Sequence, residues 1–252
     1  MIPFHRFDGP EGAPVLLLSS SLGTTHEMWD PQLDALTGHF RVLRYDRRGH
    51  GQSAVPPGPY SIAGLAADVI ELLDSLDLER VSYCGLSIGG MDGMWNAANA
   101  PERIDRLALC STSPHMPPRE LWDERIAFVR EQGVEPLADA TMERWFSPEF
   151  RESAPETVAS IRAMVASTPA EGYAGCCEAI REWDFRPELG RISAPTLVLS
   201  AEHDPSTPPE SGQLIADGIP GAAFQVLPDA RHLANVEQPE AFTAALLAHL
   251  VG

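Results

Sequence analysis

Gly85-Leu86-Ser87-Ile88-Gly89 follows the short apolar run Val81 to Cys84 and opens a stretch of helical character that ends near Pro101. A glycine-x-serine-x-glycine pattern set between a strand and a helix predicts a nucleophile elbow, the sharp turn that lifts a serine hydroxyl clear of a sheet. The glycines have a steric role there. A turn that tight crowds the backbone against the following helix, so the positions two before and two after the serine tolerate little more than hydrogen. Gly90 extends the same requirement. The pattern also arises by chance, so the rest of the chain has to support it.

An unassisted serine is a poor nucleophile at neutral pH. The sequence supplies an acid and a histidine in the order serine, acid, histidine. Thr196-Leu197-Val198-Leu199-Ser200 reads as a buried strand, with Asp204 just beyond its carboxyl end. His232 follows another apolar run, Ala223 to Leu227, in the loop Asp229-Ala230-Arg231-His232-Leu233. In this arrangement His232 takes the Ser87 proton and Asp204 holds the imidazole in the required tautomer. His203 and Asp229 are the neighbouring alternatives. Asp204 is preferred over Asp229 because the acid should leave the end of a strand before the histidine loop begins. His5, His26, His39, His50 and His115 precede the acid and take no part, and His249, in an apolar helical pattern, reads as a surface residue.

A tetrahedral intermediate needs preorganised donors for its oxyanion. One should be the amide of Ile88, the residue after the nucleophile. The other is assigned to the amide of Leu22, in the loop Ser19-Ser20-Ser21-Leu22-Gly23 after the strand Val15 to Leu18.

With these residues in place the chain resembles the α/β-hydrolase family. Asp46-Arg47-Arg48-Gly49-His50-Gly51-Gln52-Ser53 matches the family's Asp-x-Arg-Gly-x-Gly-x-Ser segment, and Gly85 to Gly90, Asp204 and Arg231-His232 complete the set. Within that family it is similar to the 3-oxoadipate enol-lactonases, through Ser21-Leu22-Gly23-Thr24, Met28-Trp29-Asp30-Pro31-Gln32 and Glu143-Arg144-Trp145-Phe146. Ser20 stands where those enzymes typically carry asparagine. The resemblance implies a cofactor-free carboxylic-ester hydrolase that opens a small lactone in the β-ketoadipate route of aromatic-acid breakdown, with Trp145 in its substrate pocket. An esterase, a haloperoxidase-like enzyme and a carbon-carbon bond hydrolase share the same triad. A lactone-sensing receptor with slow turnover shares the same fold.

The bulk properties narrow the classes. The chain has 252 residues, enough for one α/β domain with a large core. Its formal net charge is −18, which argues against nucleic acid and anionic membranes as partners. All 18 basic residues are arginine, which removes Schiff-base and P-loop lysine chemistry. No apolar run nears the roughly 20 residues that span a bilayer, and Met1 to Arg6 has no secretory apolar segment, so a cytoplasmic location is expected. Cys84, Cys110, Cys176 and Cys177 suggest neither a disulfide framework nor a metal site, and no other cluster has metal-ligand spacing.

The apolar runs Val15 to Leu18, Val42 to Tyr45, Val81 to Cys84, Leu107 to Cys110, Thr196 to Ser200 and Phe224 to Leu227 are the strand candidates. Their alternation with helical patterns predicts a mostly parallel sheet with helices on both faces. Between Ser61 and Leu76, apolar residues at Ile62, Leu65, Ala66, Val69, Leu72, Leu73 and Leu76 recur at helical spacing and predict a covering helix. Residues 1–113 and 187–252 form the expected core, and 114–186 a helical insert that lies over the serine as a lid. Trp122, Trp145, Phe146 and Trp183 are its candidate pocket residues.

An anionic lactone needs a cation against the −18 background. The insert offers Arg119, Arg125, Arg130, Arg144, Arg151, Arg162, Arg181 and Arg186. Neighbours on a helix point about 100° apart, so if Trp145 faces inward, Arg144 is expected in solvent and the anchor elsewhere.

Overall fold

The computed structural model describes all 252 residues, and its centre is a single seven-stranded sheet. The strands are β1 (His5–Asp8), β2 (Val15–Ser19), β3 (Arg41–Tyr45), β4 (Val81–Leu86), β5 (Ile104–Cys110), β6 (Thr196–Ala201) and β7 (Ala223–Leu227). They lie in the order β1-β3-β2-β4-β5-β6-β7. All neighbours from β3 to β7 are parallel, and β1 alone runs antiparallel, pairing His5 with Tyr45 and Asp8 with Val42.

Six strands coincide with the apolar runs of the sequence. Strands buried on both faces read as continuous apolar stretches, and β4 and β6 are buried at every position. The sequence did not announce β1. Its residues His5-Arg6-Phe7-Asp8 are only partly buried, and their pairing with β3 is a long-range event that no local pattern marks.

Helices cover both faces. They comprise α1 (Leu33–Leu36), α2 (Ile62–Ser75), α3 (Ile88–Asn99), α4 (Arg119–Gln132), α5 (Ala138–Trp145), α6 (Pro148–Ser153), α7 (Pro155–Ser167), α8 (Ala170–Arg181), α9 (Pro209–Gly218), α10 (Ala234–Glu237) and α11 (Pro239–Leu250). In α2 the Ser61 side chain accepts the Gly64 N–H at 3.1 Å, satisfying one of the free donors at the helix start. Ile62, Leu65, Ala66, Val69, Leu72 and Leu73 are buried, as the periodicity predicts.

Helices α4 to α8 all fall between β5 and β6. The segment leaves and rejoins the sheet at one place. The Phe185 N–H donates to the Pro114 carbonyl at 2.8 Å, and His115 and Asp184 form an antiparallel bridge. A single apolar cluster of 67 buried residues runs from the strands into these helices, including Trp122, Val129, Trp145 and Tyr173.

Candidate active site

Ser87 sits between β4 and α3 with φ 60° and ψ −121°, a left-handed conformation that a non-glycine residue adopts only when its surroundings enforce it. The Ser87 N–H donates to the Cys110 carbonyl at 2.9 Å, and the Thr112 hydroxyl donates to the Ser87 carbonyl at 2.7 Å. The flanking glycines are needed for the close approach: a Cβ on Gly85 would lie 2.1 Å from the Gly89 carbonyl oxygen, and one on Gly89 2.3 Å from that of Ser19. Gly90 faces Thr112 in the same way, at 2.7 Å.

The structure brings the expected partners together. His232 Nδ1 lies 2.7 Å from Asp204 Oδ2, and both residues are buried. Asp204 is further held by the N–H groups of Ser206 and Thr207 on Oδ1, at 2.8 and 3.1 Å, and by the Thr207 hydroxyl on Oδ2 at 2.7 Å. Burial acts to raise the Asp204 pKa. The charge and hydrogen bond of His232, with the Thr207 and Ser206 donors, outweigh it and hold the carboxyl below its ordinary value. Asp204 is therefore ionised beside the imidazole. Thr207 was missed in the sequence, although Asp204-Pro205-Ser206-Thr207 has the signature of a turn in which an aspartate caps following amides.

The alternatives lie elsewhere. Asp229 is exposed and its N–H donates to Glu202 at 3.1 Å, while His203 is exposed beside the same glutamate. Glu202, His203 and Asp229 bring ligand atoms within 4.8 Å of one another. Linear spacing hides this exposed group because the fold, not the sequence, joins two loops. His249 is half-buried rather than at the surface, with Nε2 3.1 Å from the Leu107 carbonyl. All four cysteines are free and buried.

The loop after β2 is fixed on both sides of Leu22. Arg47 donates to the Ser20 carbonyl at 2.9 Å and pairs with Asp92 on α3 at 2.8 Å. The Ser21 N–H faces the Met28 sulfur at 3.3 Å, the Gly23 N–H donates to His50 Nε2 at 2.9 Å, and the Thr24 N–H donates to the Ser21 carbonyl at 3.3 Å. Of these four amides only that of Leu22 has no partner. Ile88 opens α3, so its N–H is among the free donors of a helix start. Both amides assigned from the sequence are thus available. The role of His50 was not foreseen. Burial, with the nearby Arg47 charge, pushes its pKa down to about 3, which keeps Nε2 able to accept.

A cavity of about 270 Å3 joins the two halves of the site. Ser21, Leu22, Ser87, Met91, Thr207 and His232 line it from the sheet side. Trp122, Arg125, Thr141, Arg144, Trp145 and Tyr173 line it from α4, α5 and α8. Trp145 lies where it was expected, its ring centroid 5.8 Å from that of His232. Of the other aromatic candidates, Trp122 lines the cavity. Phe146 instead stacks on Phe150, and Trp183 stacks on Phe185 with its indole N–H on the Ser113 carbonyl. The expectation for Arg144 is corrected: it is half-buried and shares the cavity wall with Trp145. A 100° separation does not exclude this at a helix end, because a long arginine stem carries its charged head well away from the Cα direction.

The chain belongs to the α/β-hydrolase family, whose profile matches residues 14–239. It is 42% identical to 3-oxoadipate enol-lactonase 2 of Acinetobacter baylyi over 238 residues, 94% of this chain and 89% of that protein. Among solved structures it resembles the enol-lactonase of Burkholderia xenovorans, with 44% identity, a TM-score of 0.97 and coverage of 99% and 96% of the two chains. A thermophilic esterase of Thermogutta terrifontis superposes with a TM-score of 0.91 at 32% identity, covering 98% and 93%.

Proposed function

We propose that this chain is a serine hydrolase that opens 3-oxoadipate enol-lactone to 3-oxoadipate. The observation that carries the reading is the 2.7 Å His232–Asp204 contact, with Ser87 and His232 lining one small cavity. Its volume of about 270 Å3 falls just below the ~300–1,000 Å3 of sites for drug-sized ligands, which suits a substrate of a few carbon atoms. The name of the Acinetobacter relative gives the same substrate, and that of the Burkholderia relative gives an enol-lactone.

In the proposed mechanism, ionised Asp204 accepts the Nδ1–H of His232, so Nε2 is free to take the Ser87 proton. Ser87 Oγ attacks the lactone carbonyl, and the amides of Leu22 and Ile88 receive the developing oxyanion. Collapse breaks the ring C–O bond. The leaving oxygen is an enolate, less basic than an alkoxide, and His232 protonates it. The enol becomes a ketone, and water activated by His232 releases the acyl group from Ser87. We read residues 114–186 as a lid that closes over this chemistry, since α4, α5 and α8 supply the outer wall of the cavity. A cytoplasmic setting fits four free, buried thiols. No helix is long and apolar enough to cross a membrane.

The test is a screen of purified protein against small lactones and simple esters. The enol-lactone is expected to turn over many times per second and to exceed every ester in kcat/KM. An ester preferred over all lactones would overturn the assignment.

A further inference from the structure

Resting on the lactonase reading, we infer that Arg125 and Arg144 form a carboxylate-binding subsite in the reaction cavity, so that the enzyme selects lactones carrying a carboxylate. In a chain with a formal charge of −18, unpaired cations are scarce. Arg119, Arg130, Arg162, Arg181 and Arg186, on or beside α4 to α8, each meet an aspartate or glutamate. Arg125, Arg144 and Arg151 form no ion pair, and of these Arg125 and Arg144 line the cavity. No aspartate or glutamate lines it.

The neutral contacts of the two guanidinium groups orient them without cancelling their charge. Arg144 donates to the Thr141 hydroxyl at 3.0 Å, and Thr141 in turn donates to the Leu137 carbonyl. Arg125 lies over the Trp122 ring, 5.0 Å from its centroid. The two heads are close enough to affect each other: burial, then the Arg125 charge, lowers the Arg144 pKa. Two like charges in a partly desolvated cavity are unfavourable when empty, and a bound anion relieves both the repulsion and the lost hydration. Guanidinium groups match a carboxylate in shape as well as charge. Because opening a lactone leaves the carboxylate arm on the acyl group, the same contact persists from the Michaelis complex to the acyl-enzyme.

The experiment compares an enol-lactone bearing a carboxymethyl group with the neutral 5-methyl enol-lactone of the same ring. In Arg125→Gln and Arg144→Gln, which keep most of the stem, the preference in kcat/KM for the anionic lactone should fall about 10- to 100-fold. Arg144→Lys should recover part of it, and salt should weaken it in the parent protein. An unchanged preference overturns the subsite. Equilibrium binding of adipate to Ser87→Ala protein, with dimethyl adipate as the neutral control, separates this inference from the lactonase reading. If the parent opens neither lactone but adipate binding requires both arginines, the subsite stands and the lactonase reading falls. Adipate binding indifferent to both arginines overturns the subsite.

Discussion

The backbones of Gly49 and Gly172 touch: a Cβ on Gly172 would fall 2.0 Å from the Gly49 carbonyl oxygen, and one on Gly49 2.4 Å from the Gly172 Cα. Gly49 belongs to the loop after β3 that also holds Arg47 and His50, while Gly172 lies in α8 beside Tyr173 of the cavity wall. The contact therefore ties the loop whose Arg47 and His50 hold the segment around Leu22 to a helix that lines the cavity. Gly172→Ala should push α8 outward, lower stability by about 1–3 kcal/mol through overpacking, and reduce kcat/KM. Denaturant midpoints and steady-state kinetics check this. An unchanged midpoint would mean the two backbones separate freely.

Replacing Ser87 with Ala should lower kcat by several orders of magnitude while the fold persists, since the elbow accepts a smaller side chain. Asp204→Asn should cost roughly 10⁴-fold by favouring the wrong imidazole tautomer, whereas exposed Asp229→Asn should have little effect. The reverse ranking of the two aspartate variants would reassign the acid.

His50 is buried, faces Arg47 and Asp46, and accepts from Gly23 only when Nε2 is unprotonated. Its folded-state pKa of about 3 lies below the ordinary value of 6.5, so the unfolded chain binds the extra proton between those pH values. This contribution to stability is complete above pH 6.5 and is lost as pH falls toward 3. The loss should be about 1.4 kcal/mol per pH unit, or about 2 kcal/mol between pH 6.5 and 5. Denaturation curves of the parent and His50→Gln, whose amide oxygen can replace the acceptor, should diverge in that range. Parallel pH dependence would rule out His50 as the source.

Arg47 joins Asp92 of α3 to the Ser20 carbonyl, and all of these groups are buried. Arg47→Met alone leaves the Asp92 carboxylate uncompensated and should cost about 3–5 kcal/mol. The double variant Arg47→Met/Asp92→Leu should recover most of that stability, yet kcat should stay about 10- to 100-fold low because the loop carrying Leu22 loses its support. Recovery of stability and kcat together would give Arg47 a purely structural role.

Trp145 covers His232 at 5.8 Å between centroids. Trp145→Phe, which keeps an aromatic wall but shrinks it, should raise KM for the enol-lactone several-fold with a smaller effect on kcat. An equal loss in kcat and kcat/KM, with KM unchanged, would place the tryptophan in transition-state stabilisation rather than in substrate binding.

Much of the site was legible in the chain because its parts are tied to local backbone geometry. Gly85 and Gly89 mark a turn that only small residues can make, Asp204 and His232 each follow a strand, and the buried strands β2, β4 and β6 read as near-continuous apolar runs. Strand β1 was not legible, since its identity depends on pairing with Arg41–Tyr45 far along the chain.

The sequence by itself determined the elbow, the order of serine, acid and histidine, the parallel sheet and the composition that leaves positive charge scarce. The tertiary structure alone decided how that charge is distributed. Ion pairing of Arg119, Arg130, Arg162, Arg181 and Arg186 depends on which carboxylates α4 to α8 bring near, and Arg125, Arg144 and Tyr173 meet only because three helices converge on one cavity. Helical periodicity gives the direction in which a Cβ leaves its own axis. It carries no information about where another helix stands or how far a flexible guanidinium reaches, so the catalytic turn can be read from adjacent residues while the pocket opposite it cannot.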